Sequence, residues 1–324
     1  MKKILITGAT GFIGSHLVEK CISEGYSVVA FDRYNSNNNW GWLEYSDYKN
    51  EFEVVLGDIR DYDLLYNTMK NCDSVFHLAA LIGIPYSYQS PIAYLKTNIE
   101  GTYNVLESSK NLNIDQLLIT STSETYGSAQ YVPIDEAHPI VGQSPYSASK
   151  IGADQLAISY FRSFNTPVKI VRPFNTYGPR QSSRAIIPSL ISQIIKGNKK
   201  IEVGSLSPRR DFTFVEDTVS GFISISKSSK LFGEVINIGM KKDISIEELI
   251  IKIKNLMKSD VIFVSKENRI RPENSEVNRL LCDNSKIINN TEWKPKYSLN
   301  EGLALTIDWI NENIEHFKTE NYNT

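Results

Sequence analysis

The run Thr7-Gly8-Ala9-Thr10-Gly11-Phe12-Ile13-Gly14 constrains this chain more than any other. It directly follows the short apolar segment Lys3–Ile6 and opens a helical pattern over Ile13–Glu24. Glycines at 8, 11 and 14 permit a tight turn, close approach of the backbone to a pyrophosphate, and tight contact between helix and strand. The helix N-terminus then offers free N–H groups and partial positive charge to phosphate oxygens. A strand that feeds a helix in this way begins a parallel sheet.

The first half keeps that rhythm. Lys3–Ile6, Ser27–Phe31, Glu53–Leu56, Ser74–Leu78, Gln116–Thr120 and Val168–Val171 read as strands. Ile13–Glu24, Tyr62–Met69, Ile92–Leu112 and Tyr146–Phe164 read as helices between them. Single strands separated by helices predict a doubly wound α/β sheet with helices on both faces. After Pro173 turn-rich text alternates with shorter elements, including Ile186–Lys196, Val219–Ser226 and Ile246–Met257. The expected division is 1–172 for nucleotide binding and 173–324 mainly for a smaller α/β substrate-binding lobe, with the chain crossing back to the first unit. The polar tail His316–Thr324 is expected to fray.

Composition narrows the partners. A formal charge of -2 excludes a global basic field, so nucleic acid is not expected and phosphates must be met locally. Cys21, Cys72 and Cys282 are widely spaced, without metal-ligand spacing, and read as buried thiols. No signal-peptide pattern and no membrane-length apolar run is present, so a cytoplasmic protein is expected.

Asp32 lies 18 residues beyond Gly14, at the end of the second strand, where a carboxylate can accept both ribose hydroxyls and repel a 2′-phosphate. This favours NAD over NADP, although the adjacent Arg33 is able to pair with a 2′-phosphate. Asp58 and Ile59 after the third strand are placed to meet adenine, and Leu78, Ala79 and Ala80 after the fourth let the backbone approach the cofactor. Phe12, Ile13, Asn35 and Thr97 complete the expected cofactor set. The insertion Asn35–Asn39 with Trp40, Gly41 and Trp42 reads either as a loop anchored by aromatics or as a contact to adenine or a second subunit.

Tyr146 and Lys150 lie four apart on one face of the fourth helix. A lysine so placed can lower the tyrosine pKa and hold a ribose, leaving the tyrosine as base on a sugar hydroxyl. His16 and His77 read as packing residues, and His138 and His316 as loop and tail residues.

Together with Arg172–Arg180 and Arg210-Asp211-Phe212, these motifs resemble the extended short-chain dehydrogenase/reductase family, in its nucleotide-sugar branch, from Lys3 to about Trp309. The resemblance implies a Rossmann domain with a substrate lobe, and a homodimer or homotetramer built on Ile92–Leu112 and Tyr146–Phe164. Ser121-Thr122-Ser123-Glu124-Thr125-Tyr126-Gly127 looks like the motif of a 4,6-dehydratase. Tyr146 would take the O4 proton as C4 is oxidised, with Thr122 hydrogen-bonded to O4. Glu124 would take the acidified C5 proton, water would leave from C6, and the cofactor would end unchanged. Glucose-type dehydratases carry an aspartate where Ser123 stands, so Glu124 is expected to act as both base and acid.

The runs Pro173–Arg180, Ser183–Pro188 and Arg271–Arg279 are most similar to N-acetylglucosamine-nucleotide 4,6-dehydratases of legionaminic acid synthesis. GDP is favoured over UDP as the nucleotide. Asn175, Arg184, Arg210, Arg271 and Glu273 are the expected substrate contacts, with surface ion pairs as the alternative for each arginine. The rivals are a UDP-glucuronate decarboxylase, which shares the Thr-Ser-Glu motif, a nucleotide-sugar 4-epimerase, and an NAD-sensing regulator without catalysis.

Overall fold

The computed structural model describes residues 1–266 and 272–317. Its centre is a seven-stranded parallel sheet in the order β10-β6-β5-β4-β1-β2-β3. The strands are β1 (Lys3–Thr7), β2 (Ser27–Arg33), β3 (Phe52–Gly57), β4 (Ser74–His77), β5 (Gln116–Thr120), β6 (Val168–Pro173) and β10 (Val235–Ile238). Helices α1 (Phe12–Ser23), α2 (Tyr62–Met69), α3 (Ile84–Gln89), α4 (Pro91–Tyr94), α5 (Gly101–Leu112) and α6 (Pro145–Phe164) connect them.

Successive strand residues point to opposite faces, and each face is covered. Ile4, Ile6, Val28 and Ala30 pack with Leu17 and Val18 of α1. Leu5, Val29, Phe31 and Ile119 pack with Leu65, Val105 and Ala157 of α2, α5 and α6. The chain runs outward from β1 to β3 and then returns to β4. That reversal opens a crevice above the carboxyl ends of β1 and β4, the place where open α/β sheets bind ligands.

The stretch read from sequence as one helix, Ile92–Leu112, contains a π-helical segment at Leu95–Glu100 between α4 and α5. Asn98 is the reason visible there. Its side chain turns inward, accepting from Leu81 N at 2.8 Å and donating to Leu81 O and Ser149 Oγ at 2.9 Å each. Such bulges recur at functional sites.

The second lobe begins with β7 (Asn175–Tyr177), which pairs with β9 (Arg209–Phe214). β9 also pairs with β11 (Asp243–Ser245) and β13 (Arg279–Leu280), while β8 (Lys200–Val203) pairs with β12 (Ile262–Ser265). Helices α7 (Ile186–Ile195), α8 (Val215–Lys227), α9 (Ile246–Leu256), α10 (Ser285–Asn290) and α11 (Leu299–Glu312) complete it. The chain crosses back at β10, whose Val-Ile-Asn-Ile joins the edge of the central sheet. Arg180 fastens the lobes with two bonds to Glu19 on α1, at 3.0 and 2.9 Å. His16 on the same helix donates Nε2–H to the Pro179 carbonyl at 3.1 Å.

Burial, with help from Arg180, pulls His16 down to about 4. The unfolded chain therefore binds a proton that the folded one excludes between pH 4 and 6.5, and stability falls as pH drops through that window. His16→Gln keeps a donor for Pro179 and cannot titrate. Urea unfolding across pH 4.5–6 should show stability less dependent on pH in this variant, by about 1 kcal/mol per pH unit.

Candidate active site

Thr120 ends β5, and the next residues turn into a 3-10 segment, Ser123–Tyr126. Thr122 caps that turn, its Oγ1 accepting from Glu124 N at 3.2 Å. Ser123 is buried, while Glu124 is partly exposed. Helix α6 starts beside this turn with Ser144 as its cap. Ser144 Oγ accepts from Ser147 N, Ser147 Oγ accepts from Ser144 N, and Pro145 fills the first helical position. The next residue is Tyr146, which fixes its place opposite Thr122.

Tyr146 and Lys150 are both buried. Burial pushes the Tyr146 hydroxyl up, a hydrogen bond with Thr122 pulls it back, and the Glu124 and Asp154 carboxylates raise it further. Burial lowers Lys150, and Asp154 opposes that. Lys150 Nζ donates to the Thr120 carbonyl at 2.7 Å. Lys150 is thus anchored to the strand end, and Thr122 rather than Lys150 supplies the hydrogen bond that eases ionisation of Tyr146.

Asp154 was not singled out from sequence. It lies one turn beyond Lys150, and its Oδ2 accepts from Ser121 Oγ and Arg172 Nη2, both at 2.6 Å. The Arg172 guanidinium also lies over the Tyr126 ring, 4.6 Å from its centroid. The signal was the four-residue spacing from Lys150, but its partner on β6 is visible only in the fold. Tyr94 stands edge-on to Tyr146 at 6.2 Å, and with Ile84 and Leu81 makes an apolar shelf beside it.

At the sheet's carboxyl edge, Gly8 adopts φ +71°, and a Cβ there would lie 2.8 Å from Ala79 N. A Cβ at Gly14 would overlap the Gly8 carbonyl oxygen. Asp32 at the end of β2 accepts from Thr10 N at 2.8 Å and Thr10 Oγ1 at 2.7 Å. A bare backbone cradle, the N-terminus of α1 at Phe12 and Ile13, and a carboxylate at the tip of β2 fit a dinucleotide.

The other sequence candidates fall around this crevice in different ways. Ala79 N donates to Thr7 Oγ1, and Leu78 N to Thr7 O, so this backbone runs beside the glycine loop, with Ala80 following. Thr97 is half-buried in the π segment. Arg33 is exposed, and Asp58 is lowered chiefly by its bond with Arg60. The Ile59 side chain packs against Gly101, and its carbonyl accepts from Asn104. The Asn35 amide closes its own loop, with Oδ1 accepting from Asn39 N and Nδ2 donating to Asn39 O.

On the lobe side, Asn175 begins β7 and its Oδ1 is buried without a hydrogen-bond partner among the described residues. Arg184 is exposed, yet its charge reaches Tyr94. Arg210 is buried and pairs with Glu276 at 3.1 Å. Arg271 and the Glu273 side chain lie outside the described residues. His77 is buried between Thr7 Oγ1 and Thr102 Oγ1, which makes it part of the scaffold. His138, expected in a loop, is buried, with Nδ1 donating to Pro139 O and Nε2 accepting from Gln130 N. Among the described residues no His, Cys, Asp and Glu grouping could hold a metal, and no helix is long and apolar enough to cross a membrane.

The fold and these residues define an enzyme of the extended short-chain dehydrogenase/reductase type. The chain belongs to the GDP-mannose 4,6 dehydratase family, whose pattern matches residues 5–306. Human dTDP-D-glucose 4,6-dehydratase is 29% identical over 327 residues, covering 98% of this chain and 92% of that protein. The structure of a dTDP-glucose 4,6-dehydratase from Streptomyces venezuelae with NAD bound superposes with a TM-score of 0.88 at 27% identity, covering 98% and 99% of the two chains. A UDP-N-acetylglucosamine 4-epimerase from Methanobrevibacter ruminantium, in complex with UDP-N-acetylmuramic acid, gives 0.87 at 30% identity, covering 96% and 99%. Dehydratases and epimerases thus share this architecture.

The glycine loop yields a direct test. Gly8→Ala should cost roughly 1–2 kcal/mol in backbone strain alone and drive a methyl group into Ala79. Dinucleotide titration followed by fluorescence should show at least about tenfold weaker binding, the equivalent of 1.4 kcal/mol.

Proposed function

We propose that this enzyme converts a nucleotide-linked N-acetylglucosamine, GDP-GlcNAc in preference to UDP-GlcNAc, into its 4-keto-6-deoxy derivative. The step belongs to legionaminic acid or related surface-glycan synthesis. The cofactor is NAD, as in the solved relatives, and it is retained through the cycle. When bound, NAD accepts hydride from the sugar's C4 and returns it at C6. The observation that carries the reading is Glu124, a partly exposed carboxylate whose charge reaches the Tyr146 hydroxyl. A 4-epimerase has no step for a second base at that place.

The chain's own residues divide the work. Tyr146, hydrogen-bonded to Thr122, takes the O4 proton, and Lys150 holds the nicotinamide ribose. The neighbouring C4 ketone acidifies the C5 proton, which Glu124 removes. Glu124 then returns that proton to the departing C6 hydroxyl, because Ser123 is a poor acid. A proton equivalent to the one Tyr146 took from O4 is added back at C5 as C6 is reduced. Gly8, Gly11, Gly14 and Asp32 hold the dinucleotide. Asn175, Arg184, Arg210, Arg271 and Glu273 meet the nucleotide sugar.

The enzyme works in the cytoplasm as a homodimer or homotetramer. Ile92, Leu95, Tyr103 and Phe164 are large apolar side chains exposed on the two long helices and are suited to that contact.

Mass spectrometry of the purified protein with GDP-GlcNAc, UDP-GlcNAc and UDP-glucuronate in separate reactions decides the substrate. The expected result is loss of one water from a GlcNAc nucleotide without net NADH. Loss of carbon dioxide from UDP-glucuronate alone would make the enzyme a decarboxylase. Tyr146→Phe should lower turnover by roughly a thousandfold while cofactor binding persists. Glu124→Gln should stall after C4 oxidation, with NADH absorbance building up; loss of all oxidation instead would give Glu124 a role in binding.

A further inference from the structure

The aromatic insertion between β2 and β3 is tied to the cofactor loop. Gly41–Tyr45 forms a 3-10 turn, and Trp42 N donates to the Thr10 carbonyl at 3.2 Å. Gly41 lies so close that a Cβ on it would sit 2.7 Å from that same oxygen, and its φ is +54°. Thr10 is therefore gripped from two sides. Asp32 accepts from its N–H and hydroxyl, and the strap donates to its carbonyl.

The strap is itself held rigid. Asn35 and Asn39 close the loop on each other, and Asn39 Oδ1 accepts from Gly41 N at 2.8 Å. Leu43 is fully buried in the main core. The Trp42 ring packs edge-on against Trp309 of α11 at 5.2 Å and against His316 at 5.4 Å, and Tyr45 closes on His316 at 5.2 Å. The C-terminal helix thus reaches the glycine loop through one indole. At its other end the same helix is tied to β7 of its own lobe, where Leu299 O accepts from Tyr177 Oη at 3.2 Å.

We infer that the Gly41–Trp42 strap, braced by Trp309, is a positioning element that holds the glycine-rich loop in its cofactor-ready form and slows release of the dinucleotide. A loop of this composition is otherwise free to sample many conformations, and binding must bear the cost of ordering it. Fixing Thr10 beforehand removes part of that cost and appears mainly in the dissociation rate. The inference rests on the proposed use of NAD at this loop. It accords with a reaction of zero net redox, in which the cofactor has no need to leave.

The test uses the full-length chain and NADH, whose release is followed by stopped-flow fluorescence without any sugar nucleotide. Gly41→Ala pushes the strap off Thr10 while sparing the aromatic cluster, and Trp42→Ala removes the brace. Both should release NADH about tenfold faster, with turnover recovered at saturating NAD and KM for the sugar nucleotide unchanged. Trp42→Phe should stay near the parent rate. A folded Gly41→Ala variant that releases NADH at the parent rate would overturn the inference. Loss of fold in both alanine variants would also overturn it, making the strap a core element only. Failure of the unmutated chain to bind NADH would sink the cofactor reading and the strap together, whereas unaltered release from a binding-competent Gly41→Ala sinks the strap alone.

Discussion

Everything at the catalytic edge of this molecule depends on the absence of a side chain at Gly14. A Cβ there would overlap the Gly8 carbonyl, so only glycine lets the start of α1 press against the turn that leaves β1. That contact puts the helix N-terminus over the crevice between β1 and β4 and leaves bare backbone facing it. Asp32 then holds Thr10 from the tip of β2, and Ala79 fills the space that Gly8 leaves open. A different residue at 14 would displace the helix, and with it every distance from the cofactor cradle to α6.

The second constraint is desolvation. Tyr146 and Lys150 are buried on the same face of α6, and burial works against ionisation of both. On the proposed reading Tyr146 must accept a proton where the protein disfavours the charged phenolate, so its surroundings must supply compensation. Thr122 does so by hydrogen bonding to Tyr146, and Asp154 does so for Lys150 by favouring its ammonium form. Asp154 also raises the tyrosine, so a single carboxylate steadies the lysine and restrains the tyrosine. Arg172 neutralises that carboxylate from β6, which keeps an unpaired charge out of the core.

Much of this was legible in the sequence because buried parallel strands are written as short apolar runs with helices between them. All six strands of the first half were visible in that way, with ends differing by one or two residues. The seventh, β10, was not. Val235–Ile238 is four residues long and carries the buried Asn237, whose amide accepts from Tyr126 Oη and donates to the Ile134 carbonyl. Only that tertiary pairing lets a polar side chain stand in a central sheet. The Tyr146–Lys150 pair could be read from helical spacing. The Asp154–Arg172–Ser121 group could not, because its members come from α6, β6 and the end of β5. The insertion at Trp40–Trp42 announced itself by composition, but its partner Trp309 is 267 positions along the chain from Trp42 and nothing local points to it.

The pairing of Ser123 with Glu124 bears on how one fold serves several reactions. A second carboxylate at position 123 would be buried beside Glu124, and two such charges in one low-dielectric site raise each other's pKa. That arrangement suits an enzyme in which one group gives a proton while the other takes one. With a neutral, buried serine there, Glu124 keeps its partly exposed setting, and the turn is left with one carboxylate. A single carboxylate can carry both proton transfers if they occur in sequence at neighbouring carbons, because the proton gained at C5 is the one needed at C6. On the proposed reading the chemistry therefore turns less on the Tyr146–Lys150 pair than on a two-residue step of a 3-10 turn. A dehydratase and an epimerase both superpose on this chain, with TM-scores of 0.88 and 0.87, so on the proposed reading the side chain that the turn presents, and not the architecture, selects the reaction.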